Sequence, residues 1–201
     1  MLLFGATLLG LACSEPTSPS RTGTYGFDVG GDTFHWPTER LPVRFYPQPT
    51  GNLSVSVQHA IDSWASVFLY GEFTGTIVPD STRADVIVAA DSAPDVPPDP
   101  GAPVYACTGA TSVPAVGANN HYSGPFHIQL TVLSGYTAAQ AAACLRRTAI
   151  HEVGHSLGLF QHSPDPGDIM HGPPQVAQPS DQDRRTVEVL YHTPPTVFPP
   201  P

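Results

Sequence analysis

Two histidines four residues apart bracket a glutamate in the segment His151-Glu152-Val153-Gly154-His155. On an α-helix, residues four apart are separated by about 400°, so the two imidazoles point the same way, about 6 Å apart along one face. Two nitrogen donors so placed can converge on a single zinc ion. Glu152 is rotated about 100° from His151, close to such a metal without having to ligate it. That is the place for a base acting on metal-bound water. Just past His155, Gly158 can stop the helix by taking a positive φ. The turned chain then offers Gln161, His162 and Asp165 as candidates for a third ligand.

The elements that must position these residues are readable in outline. Thr137-x-x-Gln140 forms a capping box that opens a helical pattern running to about Phe160, so the His-Glu-His segment falls on the longest predicted helix. Upstream, residues 41–47 alternate apolar and polar between prolines and predict a strand. Residues 54–70 predict a helix, with Val57, Ile61, Trp64 and Phe68 on one apolar stripe. Segments 73–80 and 84–91 predict strands, and 127–132 a further one. Between them, 92–125 is rich in Pro and Gly and reads as a long loop; it contains Cys107, and Asp91, Asp95 and Asp99 at its start are candidate calcium ligands. A last helix is expected over 180–192, opened by Ser180-x-x-Asp183 and supported by an Arg184–Glu188 pair. The Pro-rich tail 193–201 cannot continue it and is expected to be loose. A β-α-β-β opening followed by helices points to an α+β domain.

Residues 151–170, HEVGHSLGLFQHSPDPGDIM, resemble the zinc signature of the metzincin metalloproteases and, among them, the matrixins: H-E-x-x-H-x-x-G-x-x-H followed by a methionine turn. There is one departure. Counted from His151, the position of the third histidine holds Gln161, and His162 lies one residue later. Counted from His162, the pattern H-S-x-D-P-x-x-x-M is met by His162, Ser163, Asp165, Pro166 and Met170. The extra residue therefore reads as an insertion between Gly158 and His162, absorbed in the turn.

The resemblance implies a zinc-dependent endopeptidase, with one catalytic zinc on His151, His155 and His162, a zinc-activated water and Glu152 as general base. Asp165 as third ligand, or a degenerate two-ligand site, are the alternatives. It implies an α+β metzincin-like catalytic domain over 25–192: a twisted, mostly parallel sheet with an antiparallel edge strand, packed on two long helices, plus a C-terminal helix. Met170 would floor the metal site, His171 could touch its rim, and His121 with His127 could form a second, structural zinc site. Substrate would bind extended beside an edge strand, expected at 127–132. The rival reading is a non-catalytic, envelope-tethered binding protein whose zinc site is structural or vestigial.

Composition narrows the partners. The chain has 201 residues, 8 basic against 17 acidic, and a net charge of −9, with all eight bases arginine. An acidic chain without a basic cluster excludes nucleic acid as the expected partner. The absence of lysine excludes Schiff-base and P-loop lysine chemistry. A peptide or protein substrate and a monomeric chain are expected. Residues 2–12 are apolar but too few to span a bilayer, and with the small residues before Cys13 they resemble a lipoprotein signal over 1–13, followed by a Ser/Thr/Pro-rich tether over 14–24. Lipidation at Cys13 would be the only membrane contact, and the protein is expected to be exported, to the cell envelope or beyond. That leaves Cys107 and Cys144 as an even pair in an oxidising compartment. Cys144 lies two helical turns before His151, so a disulfide would clamp the long loop onto the helix bearing the two histidines.

Overall fold

The computed structural model describes residues 23–92, 107–133, 135 and 137–201. Cys13, Asp95, Asp99, the signal-like segment and most of the tether lie outside these residues. No helix among the described residues is long and apolar enough to cross a membrane.

Strand β1 (Val43–Pro47) alternates buried and half-buried positions, with Val43 and Phe45 fully inside. Helix α1 (Leu53–Ala65) follows, and its stripe of Val57, Ile61 and Trp64 is buried. It is shorter than the expected 54–70, and Phe68 reaches the core from just beyond its end. Strands β2 (Gly75–Ile77) and β3 (Val86–Ser92) come next, then β4 (Cys107–Ser112) and β5 (Phe126–Val132). The sheet order is β2-β1-β3-β5-β4, with parallel pairing throughout except for the antiparallel β4–β5 pair. The α+β architecture of a mostly parallel sheet with an antiparallel edge is therefore as expected.

Two details differ from the sequence reading. Strand β4 lies inside the stretch expected to be loop, and it stands at one edge of the sheet, with β2 at the other. Residues 127–132 belong to β5, which is hydrogen-bonded on both sides and cannot accept an added strand.

Helix α2 (Ala138–Ser156) packs on α1, β4 and β5. Its capping box is formed as expected, with Gln140 and Thr137 each satisfying a backbone N–H of the other. Two indoles fix it in place: Trp64 Nε1 donates to the Ile150 carbonyl at 2.7 Å, and Trp36 Nε1 to the Ser156 carbonyl at 2.9 Å. Helix α3 (Asp181–Tyr191) opens on the Ser180–Asp183 box, and Arg184 pairs with Glu188 at 3.3 Å.

The segment before β1 is part of the core. Phe34 and Trp36 are buried and pack edge to face, with Tyr122 and Phe126 in the same cluster. The C-terminal tail is held rather than loose. Thr196 and Val197 both donate to the Thr33 carbonyl, Phe198 N donates to Asn120, and Tyr122 N donates to Phe198. Val197 is buried, because a proline-rich chain that cannot form a helix can still lie extended in a groove and bury one apolar side chain. Ending the chain at Thr193 is expected to cost about 2–4 kcal/mol, the burial of one valine plus several backbone bonds. Urea denaturation checks this; an unchanged midpoint would mean that the tail contributes nothing.

Candidate active site

Helix α2 presents His151 and His155 one turn apart, and Gly158 ends the turn that follows. Its φ is +105°, and a Cβ there would run into the Phe34 carbonyl, so the position demands glycine on both conformational and steric grounds. The chain doubles back and brings His162 to the other two imidazoles. The three Nε2 atoms are separated by 3.1 Å (His151–His155) and 3.3 Å (each to His162). The added residue before His162 does not remove it from the group. Asp165 is elsewhere: its carboxylate accepts from Gly167 N and Gln182 Nε2 on the surface.

The tautomers follow from the outer nitrogens. His151 Nδ1 lies 2.7 Å from the Ile169 carbonyl and His155 Nδ1 lies 2.6 Å from the Leu159 carbonyl. A carbonyl only accepts, so each Nδ1 carries the proton and each Nε2 turns its lone pair inward. Two lone pairs about 3 Å apart repel unless a cation lies between them. A tetrahedral zinc with Zn–N bonds of about 2.0–2.1 Å sets its nitrogens about 3.3–3.4 Å apart, which fits the spacing here. Burial holds His151 down to about 3, helped by neighbouring His155, and His155 down to about 4. His162 is lowered as well, again by burial. All three are neutral at pH 7, the form that ligates metal. This is the one such group among the described residues.

The carbonyls that orient these rings are themselves held. Ile169 and Met170 form a turn whose backbone N–H groups donate to Asp183, at 2.8 and 3.3 Å. Asp183 is fully buried and also accepts from Tyr25 Oη at 2.7 Å and from Ser180 N at 2.8 Å. Asp168, equally buried, takes the hydroxyls of Ser163 and Ser180. Met170 packs beneath α2 against Gly154, where an added Cβ would strike its sulfur and come within 2.7 Å of Trp64. The sequence marked Asp183 only as a helix cap; its second duty, holding the turn under the histidines, has no local signature.

Glu152 is buried beside its neighbours and faces the same cleft as the three histidines. The Thr111 hydroxyl donates to its Oε2 at 2.7 Å, with the Glu152 carbonyl oxygen 3.0 Å away. Burial pushes the Glu152 carboxyl up to about 7, against the pull of that hydrogen bond.

Thr111 comes from β4, and β4 and α2 meet as a ladder. Cys107 is disulfide-bonded to Cys144, with Cα atoms 5.9 Å apart. Gly109 leaves no room for a Cβ against Thr148 and Glu152, and Thr111 bonds Glu152. Two residues along a strand advance about 6.8 Å and four along a helix about 6 Å, so positions 107, 109 and 111 keep step with 144, 148 and 152. The clamp expected from the cysteines is present, and what it holds is the edge strand.

A cleft of about 570 Å³ runs between β4 and the Gly172–Pro174 segment, with Glu152 and the histidines on its floor and Val29 and Phe160 on its wall. His171 is outside the triad, its Nδ1 beside the Pro173 carbonyl. His121 is engaged with the tail through the Pro199 carbonyl and the Phe198 ring, and His127 stands on β5; no second metal cluster forms among the described residues.

The model of the Matrixin family, peptidase family M10, matches residues 49–192. The chain belongs to the matrixins, a family of zinc metalloproteases. A search of curated proteins gave no match. Among solved structures, the chain is similar to high choriolytic enzyme 1 of the medaka fish Oryzias latipes, a hatching enzyme zinc-protease. Identity is 13% and the TM-score 0.44, over 80% of this chain and 94% of that one.

Replacing both Cys107 and Cys144 by serine is expected to lower stability by about 4 kcal/mol, the loop entropy of a cross-link of this span. It should also raise KM more than it lowers kcat, since the edge strand loosens while the histidines stay. Denaturant titration and steady-state kinetics check the two parts; an unchanged KM would mean that β4 needs no clamp.

Proposed function

We propose that the protein is a zinc-dependent endopeptidase in which His151, His155 and His162 hold one zinc and Glu152 is the general base. The observation that carries the reading is the inward convergence of three neutral imidazole nitrogens beside a buried carboxyl that completes no other ion pair among those described. A structural zinc site is closed by four protein ligands, whereas three converge here, which favours a catalytic site over the binding-protein alternative. When bound, the metal lowers the pKa of water and polarises the scissile carbonyl.

The remaining work falls to the chain. Glu152 takes the proton of the attacking water as oxygen bonds to the carbonyl carbon, and returns it to the amide nitrogen as the C–N bond breaks. Thr111 keeps one carboxylate oxygen occupied and so fixes the orientation of the other. Strand β4, unpaired along its outer edge among the described residues, offers backbone N–H and C=O groups to an extended peptide lying in the cleft. Segment Gly172–Pro174 forms the facing wall. One chain supplies every residue of the site, so a monomer suffices. The disulfide supports an oxidising compartment, and with the signal-like segment ending at Cys13 we read the protein as exported, lipid-anchored or released.

The native protein and Glu152→Gln are each expected to bind one equivalent of zinc, and Glu152→Gln to lose turnover of an unfolded protein substrate by at least about 10²-fold. A chelator should abolish cleavage, and added zinc restore it. Metal content with a peptide-library digest tests this; undiminished cleavage by Glu152→Gln would remove Glu152 from the reaction.

A further inference from the structure

The residue that breaks the matrixin spacing has a definite place. Gln161 lies between Phe160 and His162, in the turn one residue longer than the family pattern. Its Nε2 donates to the Asp28 carbonyl at 2.7 Å, with Asp28 Oδ1 at 3.3 Å. Gly26 lies so close that a Cβ there would overlap the Gln161 carboxamide. Beside it, Phe160 N donates to the Phe27 carbonyl at 3.2 Å. Residues 26–28 therefore form a socket for the turn.

The socket is itself braced. Val29 and Asp32 exchange backbone bonds of 3.0 Å, and Asp28 Oδ2 accepts from Gly31 N. On the other side of the turn, the Leu159 carbonyl orients His155 through Nδ1. The three residues 159–161 thus orient one imidazole at their start and launch the next, His162, at their end. His162 is the most exposed member of the triad, and Gln161 is the residue that hands the chain to it.

We propose that Gln161 is a positioning residue for the metal site: its carboxamide locks the turn carrying His162 onto Gly26–Asp28. Metal affinity then depends on a segment upstream of the 49–192 match. The added residue is compensated by an added anchor. This rests on the zinc reading above.

The test measures zinc affinity of the full chain by competition with a chelator, the visible spectrum of the Co²⁺-substituted protein, and the Tm of the metal-free protein. Gln161→Ala is expected to weaken zinc binding about three- to tenfold, the net worth of one ordinary hydrogen bond, since Gln161 holds the turn and not a ligand ring. Gln161→Glu, the same shape without a donor and placed beside the Asp28 carboxylate, should weaken it at least as much. Gly26→Val, which evicts the carboxamide, should do so more strongly and shift the Co²⁺ bands. The metal-free Tm of both Gln161 variants should stay near that of the native protein. Native affinity in both Gln161 variants overturns the proposal and leaves the zinc reading intact. So does a loss of affinity matched by an equal loss of metal-free stability. Failure of the native protein to bind zinc overturns both.

Discussion

The arrangement on which the rest depends is a repulsion built into the fold. Two imidazoles, one buried and one half-buried, give their Nδ1 protons to carbonyls and aim their remaining lone pairs at one point, where a third imidazole joins them. Nothing in an apolar interior would choose this without a cation to gather around. The fold itself holds the rings in place, and it does so through the acceptors. Leu159 is fixed by the Gly158 turn under Phe34, and Ile169 is fixed by Asp183 at the head of α3. Both helix-borne imidazoles, His151 and His155, are thus oriented by backbone that a second element pins, which is how a site keeps its geometry to a fraction of an ångström.

Much of that pinning comes from the first fourteen or so described residues, before the family match begins. Tyr25 reaches Asp183, Gly26–Asp28 receive Gln161, Phe34 caps the glycine turn and Trp36 takes the last carbonyl of α2. The C-terminal tail then holds this segment down at Thr33. The segment before β1 and the C-terminal tail thus close together over the back of the loop that carries His162.

What the sequence made legible and what it hid divide along a physical line. Local devices were readable: both capping boxes formed, Gly158 took its positive φ, and the stripe of Val57, Ile61 and Trp64 turned inward. The pair His151 and His155 needed only helical periodicity. Long-range pairings left no such trace. Strand β4 was hidden because Cys107-Thr108-Gly109-Ala110-Thr111-Ser112 has few large apolar residues, being half covered by a helix and half open. With β4 hidden, β5 reads as the edge. Asp183 looked like an ordinary cap because its other partners lie more than a dozen residues away. The tail reads as loose because its partners, Thr33 and residues 120–122, are distant from it in the sequence.

One long-range feature was written in the sequence after all, as two matched spacings. Cysteine, glycine and threonine stand two apart on β4; cysteine, threonine and glutamate stand four apart on α2. Each pair has the chemistry of contact: a cross-link, a close approach that only glycine allows, and a hydroxyl donating to a carboxylate. The near-equal rise of two strand residues and four helical ones lets all three form together. A consequence follows for catalysis. The strand proposed to align a peptide and the helix that bears Glu152 and two of the histidines are tied at three points, so a substrate paired with β4 would lie in register with Glu152. His162, by contrast, is delivered by a turn rather than by a helix, and it is there that this chain departs from the family spacing and that Gln161 contacts the amino-terminal segment.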